Sequence, residues 1–146
     1  MVDVGEKPVS QRTATAEGAV RMSREAFDLV AGERLTKGDA LAVAEVAGTM
    51  GAKRTGDLIP LCHPLVLDLV QVEARLEPEL PGVRITAVAK ATGRTGVEME
   101  ALTAVAVACL TVYDMVKAID REMVIEEVRL ISKSGGTRGD WRRSES

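Results

Sequence analysis

The sequence predicts an α+β fold in which helices cover one face of an antiparallel sheet. Two runs, 65–77 and 83–90, alternate apolar and polar residues over most of their length, which is the period of half-buried strands. A turn rich in proline and glycine separates them, so together they predict a hairpin. From 96 to 120, apolar residues recur at helical spacing and predict one long helix.

The part of the chain before the hairpin predicts a short strand and two helices. Residues 1–16 are polar and mixed in character, and we expect them to form an N-terminal arm. Alternation over Glu17–Met22 favours a short strand. Ser23 is a typical cap for a helix over Arg24–Ala31, and Asp39 for a second helix. The second helix is rich in small residues, which predicts close packing against another element.

The long helix and a last strand complete the pattern. The middle of the long helix is apolar on all sides, so we expect burial both against the sheet and at a subunit interface. A strand over Met123–Ser132 precedes a charged tail, 137–146, which we expect to be flexible. The order strand, two helices, hairpin, helix, strand is ferredoxin-like with one extra helix. We expect a single domain over residues 17–136.

Composition narrows the classes of function. The 146 residues suffice for one globular domain, with 46% hydrophobic and 28% charged residues. Only 2% are aromatic and the net charge is −3, so neither base stacking nor overall charge favours a nucleic acid partner. The longest apolar run, Ala101–Tyr113, is too short to span a bilayer, and no signal segment opens the chain. We therefore expect a cytoplasmic protein without a membrane partner, whose two cysteines form no disulfide.

The segment 52–64 is the strongest candidate for a functional site. It carries two cations, a carboxylate, a thiol and the only histidine, and prolines restrict the backbone around Cys62 and His63. A lone histidine is often structural, but His63 lies in a loop without periodicity, so we favour a functional role. No second Cys/His pair occurs at ligand spacing, which disfavours a metal site. For Cys62, packing or ligand contact is favoured over nucleophilic catalysis.

Charged residues lie near both ends of the long helix. The side chains of Glu98 and Glu100, at the start of the helix, point about 200° apart, so only one of them readily faces a given site. Both are also explained without a functional role, because the positive end of the helix dipole favours carboxylates. Asp114 and Lys117 share a face near its end, either as a simple ion pair or as a buried acid suited to proton transfer. Glu98 and Asp114 are about 24 Å apart along the axis. A site that uses both ends therefore needs a partner chain.

Basic residues at the ends of elements are candidate ligands for an anion. Lys37, Lys53 and Lys133 lie at such positions, although each is also explained as a solvated surface charge. The segment Lys133–Gly136 has the composition of an amide nest for an anion. Gly93–Gly96, before the long helix, is a weaker signal for a phosphate site. Because the net charge is negative, any anionic ligand depends on such a local cluster.

Together these segments resemble the cyclic pyranopterin monophosphate synthase family, the accessory protein C of molybdenum cofactor biosynthesis. The likeness covers nearly the whole chain, and its two most specific blocks are DLIPLCHP at 57–64 and TGVEMEALT at 95–103. The other family-like segments are MVDV at 1–4, KGD at 37–39, AKRTG at 52–56, YDM to KA at 113–118 and KSGG at 133–136. The tail 137–146 carries no motif of the family.

The resemblance implies a lyase that converts 3′,8-cyclo-7,8-dihydroguanosine triphosphate to cyclic pyranopterin monophosphate and releases pyrophosphate. Such chemistry needs cations for the phosphates and groups that move protons. By the family pattern, Asp114 is the leading catalytic residue, a general acid or base that Lys117 tunes. Lys37 and His63 complete the implied catalytic set. The residues implied to contact substrate are Leu61, Cys62, His63, Met99, Glu100, Glu98, Lys53 and Lys133.

The resemblance also implies a homo-hexamer, a trimer of dimers with its sites at dimer interfaces. It implies no cofactor and no protein-bound metal, and leaves open whether Mg²⁺ accompanies the triphosphate. A competing class stays open: a non-catalytic module of the same fold that senses a nucleotide or small metabolite through the same cations. An RNA-binding sheet is disfavoured because the predicted strands carry no aromatic residues.

Overall fold

The computed structural model describes residues 1–145, which form one open sheet and four helices. In chain order the elements are β1 (Ser10–Arg21), α1 (Arg24–Ala31), α2 (Ala40–Lys53), α3 (Thr55–Leu58), β2 (Leu69–Glu77), β3 (Gly82–Gly93), α4 (Glu98–Val116), β4 (Val124–Ser134) and β5 (Trp141–Arg142). This order contains every predicted element, with a one-turn helix and a two-residue strand in addition.

The sheet has the strand order β2-β3-β1-β4-β5, and every neighbouring pair is antiparallel. β1 lies at the centre and pairs with β3 over its whole length, starting with Ser10 opposite Gly93. The predicted hairpin is formed by β2 and β3, although β2 begins at Leu69 and not at Leu65. Strands β1 to β4 have the ferredoxin-like arrangement, so the predicted fold class is confirmed.

Both predicted helix caps are present. The Oγ atom of Ser23 accepts a hydrogen bond from the amide of Ala26 at 3.1 Å, at the start of α1. Oδ1 of Asp39 accepts one from the amide of Ala42 at 3.1 Å, at the start of α2. Each cap satisfies a backbone donor that has no partner inside its helix. The two helix starts therefore follow from local sequence alone.

Helix α4 forms the middle of the core, where it packs against α2, β1 and β3. Its buried residues are Glu100, Ala101, Thr103, Ala104, Val105, Ala108, Cys109, Val112, Met115 and Val116. With 19 residues and a mean hydropathy of 1.6, this helix is long and apolar enough to cross a membrane. Core helices share that composition, and the burial of α4 between the sheet and α2 accounts for it.

Glycines let β1 and α2 approach α4 closely. A Cβ atom on Gly18 of β1 would lie 2.6 Å from Cγ1 of Val105. A Cβ atom on Gly48 of α2 would lie 2.9 Å from the carbonyl oxygen of Ala104. Both distances are too short for a real side chain, so the approach requires glycine. The close packing predicted for α2 is confirmed.

The N-terminal arm is shorter than predicted. β1 begins at Ser10, so residues 10–16 belong to the central strand of the sheet and not to an arm. In this part of β1 threonine alternates with alanine, and Ala14 and Ala16 are fully buried. Alanine is small and has little strand preference, so the alternation is weak in the sequence although the sheet uses it.

Two segments expected to be irregular take part in regular structure. The tail 137–146, predicted to be flexible, contributes β5, in which Trp141 lies opposite Lys133; its last residue, Ser146, lies outside the described residues. A two-residue strand is too short for an alternating pattern to reveal it. Residues 55–58 form a single helical turn, α3, ahead of the segment that carries the histidine.

Candidate active site

The chain after α2 folds back to present Cys62 and His63. Thr55 is buried, and its hydroxyl donates at 2.9 Å to a carbonyl oxygen at the end of α2, where α3 begins. The amide of Cys62 donates to the carbonyl oxygen of Ile59 at 3.1 Å and closes a turn just before His63. Together with the two prolines, these bonds shape the segment 59–64, which we call the His63 loop.

A cleft of about 710 Å³ opens between the His63 loop and the start of α4. Five parts of the chain line it: the N-terminal segment, the start of strand β1 at Arg12, the His63 loop, the start of α4 with the residues just before it, and the end of β4 with the turn that follows. The predicted site residues that meet in this cleft are Leu61, Cys62, His63, Glu98, Met99 and Lys133. The fold thus assembles one site from segments far apart in the sequence.

The cleft is also lined by three cations that were not predicted from the sequence: Lys7, Arg12 and Arg138. Nε of Arg12 donates to the carbonyl oxygen of Gly93 at 3.3 Å, which holds the guanidinium in place. A Cβ atom on Gly136 would overlap that guanidinium, so the turn after β4 packs directly on it. Arg12 was not predicted as a site residue because residues 1–16 were assigned to an N-terminal arm. Arg12 reaches the cleft only because it lies in the paired strand β1.

Of the two glutamates at the start of α4, only Glu98 faces the cleft. Its Oε1 lies 3.9 Å from Nζ of Lys133, and the two side chains are 32% and 30% exposed. Glu100 points into the protein and is 2% exposed. This agrees with the helical geometry, which directs residues two apart to nearly opposite sides. Glu100 therefore does not line the cleft, although the resemblance implies that it contacts substrate.

Glu100 contacts a residue of the cleft, Cys62, whose Sγ donates a hydrogen bond to Oε2 of Glu100 at 3.9 Å. The other carboxyl oxygen of Glu100 is buried without a hydrogen-bond partner among the described residues. Burial raises the pKa of Glu100, and the charge of Glu98 adds to the effect. Burial also raises the pKa of Cys62, reinforced by the negative charge of Glu100. An uncharged thiol is a poor nucleophile, so the geometry favours a packing or contact role.

Asp114, Lys117 and Lys37 form a second cluster at the other end of α4. Nζ of Lys117 lies 2.9 Å from Oδ1 of Asp114, and Nζ of Lys37 lies 3.0 Å from Oδ2. Lys37 also donates to the backbone carbonyl oxygen of Asp114 at 3.2 Å, where the helix dipole favours a cation. The carboxylate is 55% exposed, so within one chain this is an exposed ion pair and not a buried acid.

The two lysines determine the ionisation of Asp114. Hydrogen bonds from Lys117 and then Lys37 lower the pKa of this carboxyl, and their positive charges act in the same direction. At neutral pH the group is therefore an ionised carboxylate. Two ammonium groups are held beside it, ready to stabilise negative charge on a ligand.

Within one chain the cleft and the Asp114 cluster do not meet. They lie at opposite ends of α4, and the axial distance from Glu98 to Asp114 is about 24 Å. Lys53 lies exposed at the end of α2 and belongs to neither group. Apart from Lys53 and the buried Glu100, the structure therefore sorts the predicted residues into two groups, each on the surface of the single chain.

Comparison with known proteins identifies the family. A model of the MoaC family matches residues 1–136, which contain both groups of residues. This chain belongs to the MoaC family. A protein named cyclic pyranopterin monophosphate synthase from Brucella ovis is 57% identical over 145 residues, covering 99% of this chain and 88% of that protein. One of the same name from Cereibacter sphaeroides is 58% identical over 144 residues, covering 99% of this chain and 91% of that protein.

In this MoaC-family protein the cleft and the cluster offer different chemistry. The cleft combines cations with an imidazole, which suits binding of a phosphorylated ligand and proton transfer. Within residues 1–145, no group of three or more His, Cys, Asp or Glu side chains is placed to hold a metal ion. Both cysteines are free. Burial raises the pKa of Cys109 to about 12, so that thiol is unreactive at neutral pH.

Proposed function

We propose that this MoaC-family protein is a cyclic pyranopterin monophosphate synthase, a lyase of molybdenum cofactor biosynthesis. Its substrate is 3′,8-cyclo-7,8-dihydroguanosine triphosphate, and its products are cyclic pyranopterin monophosphate and pyrophosphate. The observation that carries the proposal is the cleft, where four cations meet His63 and where the His63 loop, the start of α4 and Lys133 belong to segments typical of the family. The full-length similarity to proteins of that name supports the same reaction.

The cleft suits the polyphosphate part of this substrate. Lys7 and Arg12 from one end of the chain and Lys133 and Arg138 from the other supply its positive charge. They neutralise the bound triphosphate and then the departing pyrophosphate. The amide of Gly135 in the turn after Lys133 already donates to Asp140. The proposal therefore places the phosphates on the cationic side chains and on the remaining amides of this glycine turn.

The reaction opens a purine-derived ring, closes the pyranopterin, and requires a sugar hydroxyl to attack the α-phosphorus. Each step moves protons, so the site needs groups that accept and return them. His63 lies in the cleft and can relay a proton near the phosphates. Asp114, held ionised by Lys117 and Lys37, serves as the proton acceptor, and the two lysines stabilise the negative charge that develops.

A partner chain completes the site in this proposal. Pairing two α4 helices antiparallel would bring the cleft of one protomer to the Asp114 cluster of its partner. The proposed assembly is a homo-hexamer, a trimer of dimers. Exposed apolar residues on the outer faces of α2 and α4 support an interface there, namely Val43, Val46, Met50 and Leu110. We place the enzyme in the cytoplasm and expect Mg²⁺, if it takes part, to enter with the triphosphate.

The test is to incubate the purified protein with the cyclised triphosphate and to measure pyrophosphate release together with pterin formation. Asp114→Asn should lower the rate by about 10²–10⁴-fold while circular dichroism and thermal unfolding stay unchanged. Asp28→Asn, which removes one charge from the exposed face of α1, is the matched control and should retain full rate. Binding of the substrate without pyrophosphate release would reject the enzyme and favour a metabolite sensor. Wild-type turnover in Asp114→Asn would reject the role of that residue.

A further inference from the structure

The chain does not stop at the cleft but returns along the edge of β4. After a glycine turn, Trp141 pairs with Lys133 and Arg142 pairs with Ser132. We call residues 140–143 the C-terminal strap. The strap lies beyond residue 136, where the match to the family model ends.

Side-chain and backbone contacts beyond the two strand pairs tie the strap to β4. Oδ1 of Asp140 accepts a hydrogen bond from the amide of Gly135 at 3.3 Å. Arg143 donates to two successive strand carbonyls, its amide to Ile131 and its Nε to Leu130, each at 2.7 Å. Without the strap, these carbonyls would face the open edge of the sheet, where strand ends fray.

The segment that the strap holds is a wall of the cleft. Lys133, Ser134 and Gly135 line it directly. On the opposite side this segment lies against β1, so closely that a Cβ atom on Gly135 would overlap the carbonyl oxygen of Gln11. The wall is therefore held between the central strand and the strap. The position of the Lys133 ammonium depends on both.

The geometry points to Asp140 and Arg143 as positioning residues that fix the Lys133–Gly135 wall for an anionic ligand. Neither residue lines the cleft, so neither touches a ligand there. They act through the backbone of β4, because a paired strand end keeps Lys133 and the amides of the turn in one arrangement. The ligand part of this inference rests on the proposed function, whereas the structural part does not.

The experiment compares full-length chains carrying Arg143→Ala or Asp140→Ala with an Arg142→Ala control. Arg142 is an exposed neighbour in the same strand, and its side chain makes no hydrogen bond among residues 1–145. Hydrogen exchange is measured at the amides of 132–136, and the affinity for inorganic pyrophosphate by calorimetry. In both test variants, exchange should accelerate by about tenfold or more, and the pyrophosphate Kd should rise several-fold. Arg143→Lys, which keeps a donor, should recover part of each effect.

Each result decides the inference. If Arg143→Ala leaves hydrogen exchange at the amides of 132–136 unchanged, the strap does not hold the wall. The same conclusion follows if Arg142→Ala accelerates this exchange as much as Arg143→Ala does. Faster exchange with an unchanged Kd overturns its role in ligand binding, as does a wild type that binds no pyrophosphate. A chain that ends after Gly139 provides a second variant and should show the larger effect on both measurements. Failure of the wild type to release pyrophosphate from substrate contradicts the proposed function alone, because exchange needs no turnover.

Discussion

The ammonium nitrogen of Lys37 lies 3.0 Å from Oδ2 of Asp114, although 77 positions separate these residues in the sequence. The contact joins the segment just before α2 to the last turn of α4. Lys117 approaches the same carboxylate from the other oxygen at 2.9 Å. Asp114 is therefore a carboxylate between two ammonium groups, and its ionisation is the first property to measure.

We predict that Lys117→Ala raises the pKa of Asp114 towards its ordinary value of 3.8, and that Lys37→Ala raises it less. The order follows because the hydrogen bond from Lys117 contributes most to the lowered pKa. A carboxyl with a lowered native pKa stabilises the fold above its ordinary pKa, and that contribution is lost as the pH falls through the native value. Carbon NMR titration of the labelled carboxyl measures the shift.

Lys90→Ala is the control for this titration, since it removes an exposed lysine of β3 that makes no contact with Asp114. The pKa of Asp114 should be the same in this variant as in the wild type. An unchanged pKa in Lys117→Ala would show that the pair seen here does not form in solution.

Mixing two inactive variants tests whether sites are shared between chains. Asp114→Asn and His63→Ala chains are each expected to lose about 10²–10⁴-fold in rate. If each site takes His63 from one protomer and Asp114 from its partner, random mixing restores up to about a quarter of the sites. Pyrophosphate release after joint unfolding and refolding gives the measurement.

The matched control mixes Asp114→Asn with Lys117→Ala chains. Both changes lie in the same cluster, so no mixed site can be intact and no activity should return. Equal recovery in the two mixtures, or none in the first, would argue that each site is built from a single chain.

We predict that Glu100→Gln stabilises the protein at alkaline pH and not at acid pH. The native pKa of Glu100 is raised above its ordinary value of 4.5, first by burial. An acid with a raised native pKa makes the fold less stable as the pH rises from the ordinary value through the native one, because the ionised form is disfavoured in the folded state. Glutamine keeps the shape without the charge. Urea unfolding at pH 4 and pH 8 measures the difference.

Glu79→Gln in the exposed turn between β2 and β3 serves as the control and should change stability little at either pH. A Glu100→Gln variant that is equally stable to wild type across this range would mean that Glu100 ionises without cost, and that its burial beside Cys62 does not persist in solution.

Gly135→Ala should destabilise the protein more than Gly139→Ala. Both glycines have positive φ, 92° and 70°, so alanine at either position is strained by about 1–2 kcal/mol. Only at Gly135 does a Cβ atom also overlap the backbone of Gln11, whereas the space around Gly139 is open. Chemical denaturation should therefore give a loss of about 3 kcal/mol or more at position 135. Equal losses would place the Gly135 turn further from β1 than the structure does.

Much of the fold and part of the site could be predicted from local pattern. Helix caps at Ser23 and Asp39 and the alternation of β2 and β3 depend on neighbouring residues. The caps were found where expected, and so was the hairpin, except that β2 begins at Leu69 and not at Leu65. The site was harder to predict. Arg12 has no local feature that distinguishes it from a surface arginine, and it reaches the cleft only because β1 pairs with β3, whose last residue is Gly93.

The sequence by itself determined three things. The period of apolar residues determined the fold class, and the motifs determined the family. The rise of the helix showed that one small molecule cannot contact both ends of α4 in a single chain. Only the tertiary structure decided which side chains share the cleft, that Glu100 faces inward, and that the strap closes the edge of β4. The physical reason is that the alternation of apolar and polar residues in a strand specifies which of its faces is buried, but not which other strand pairs with it. Contacts between distant segments arise only when the sheet is assembled.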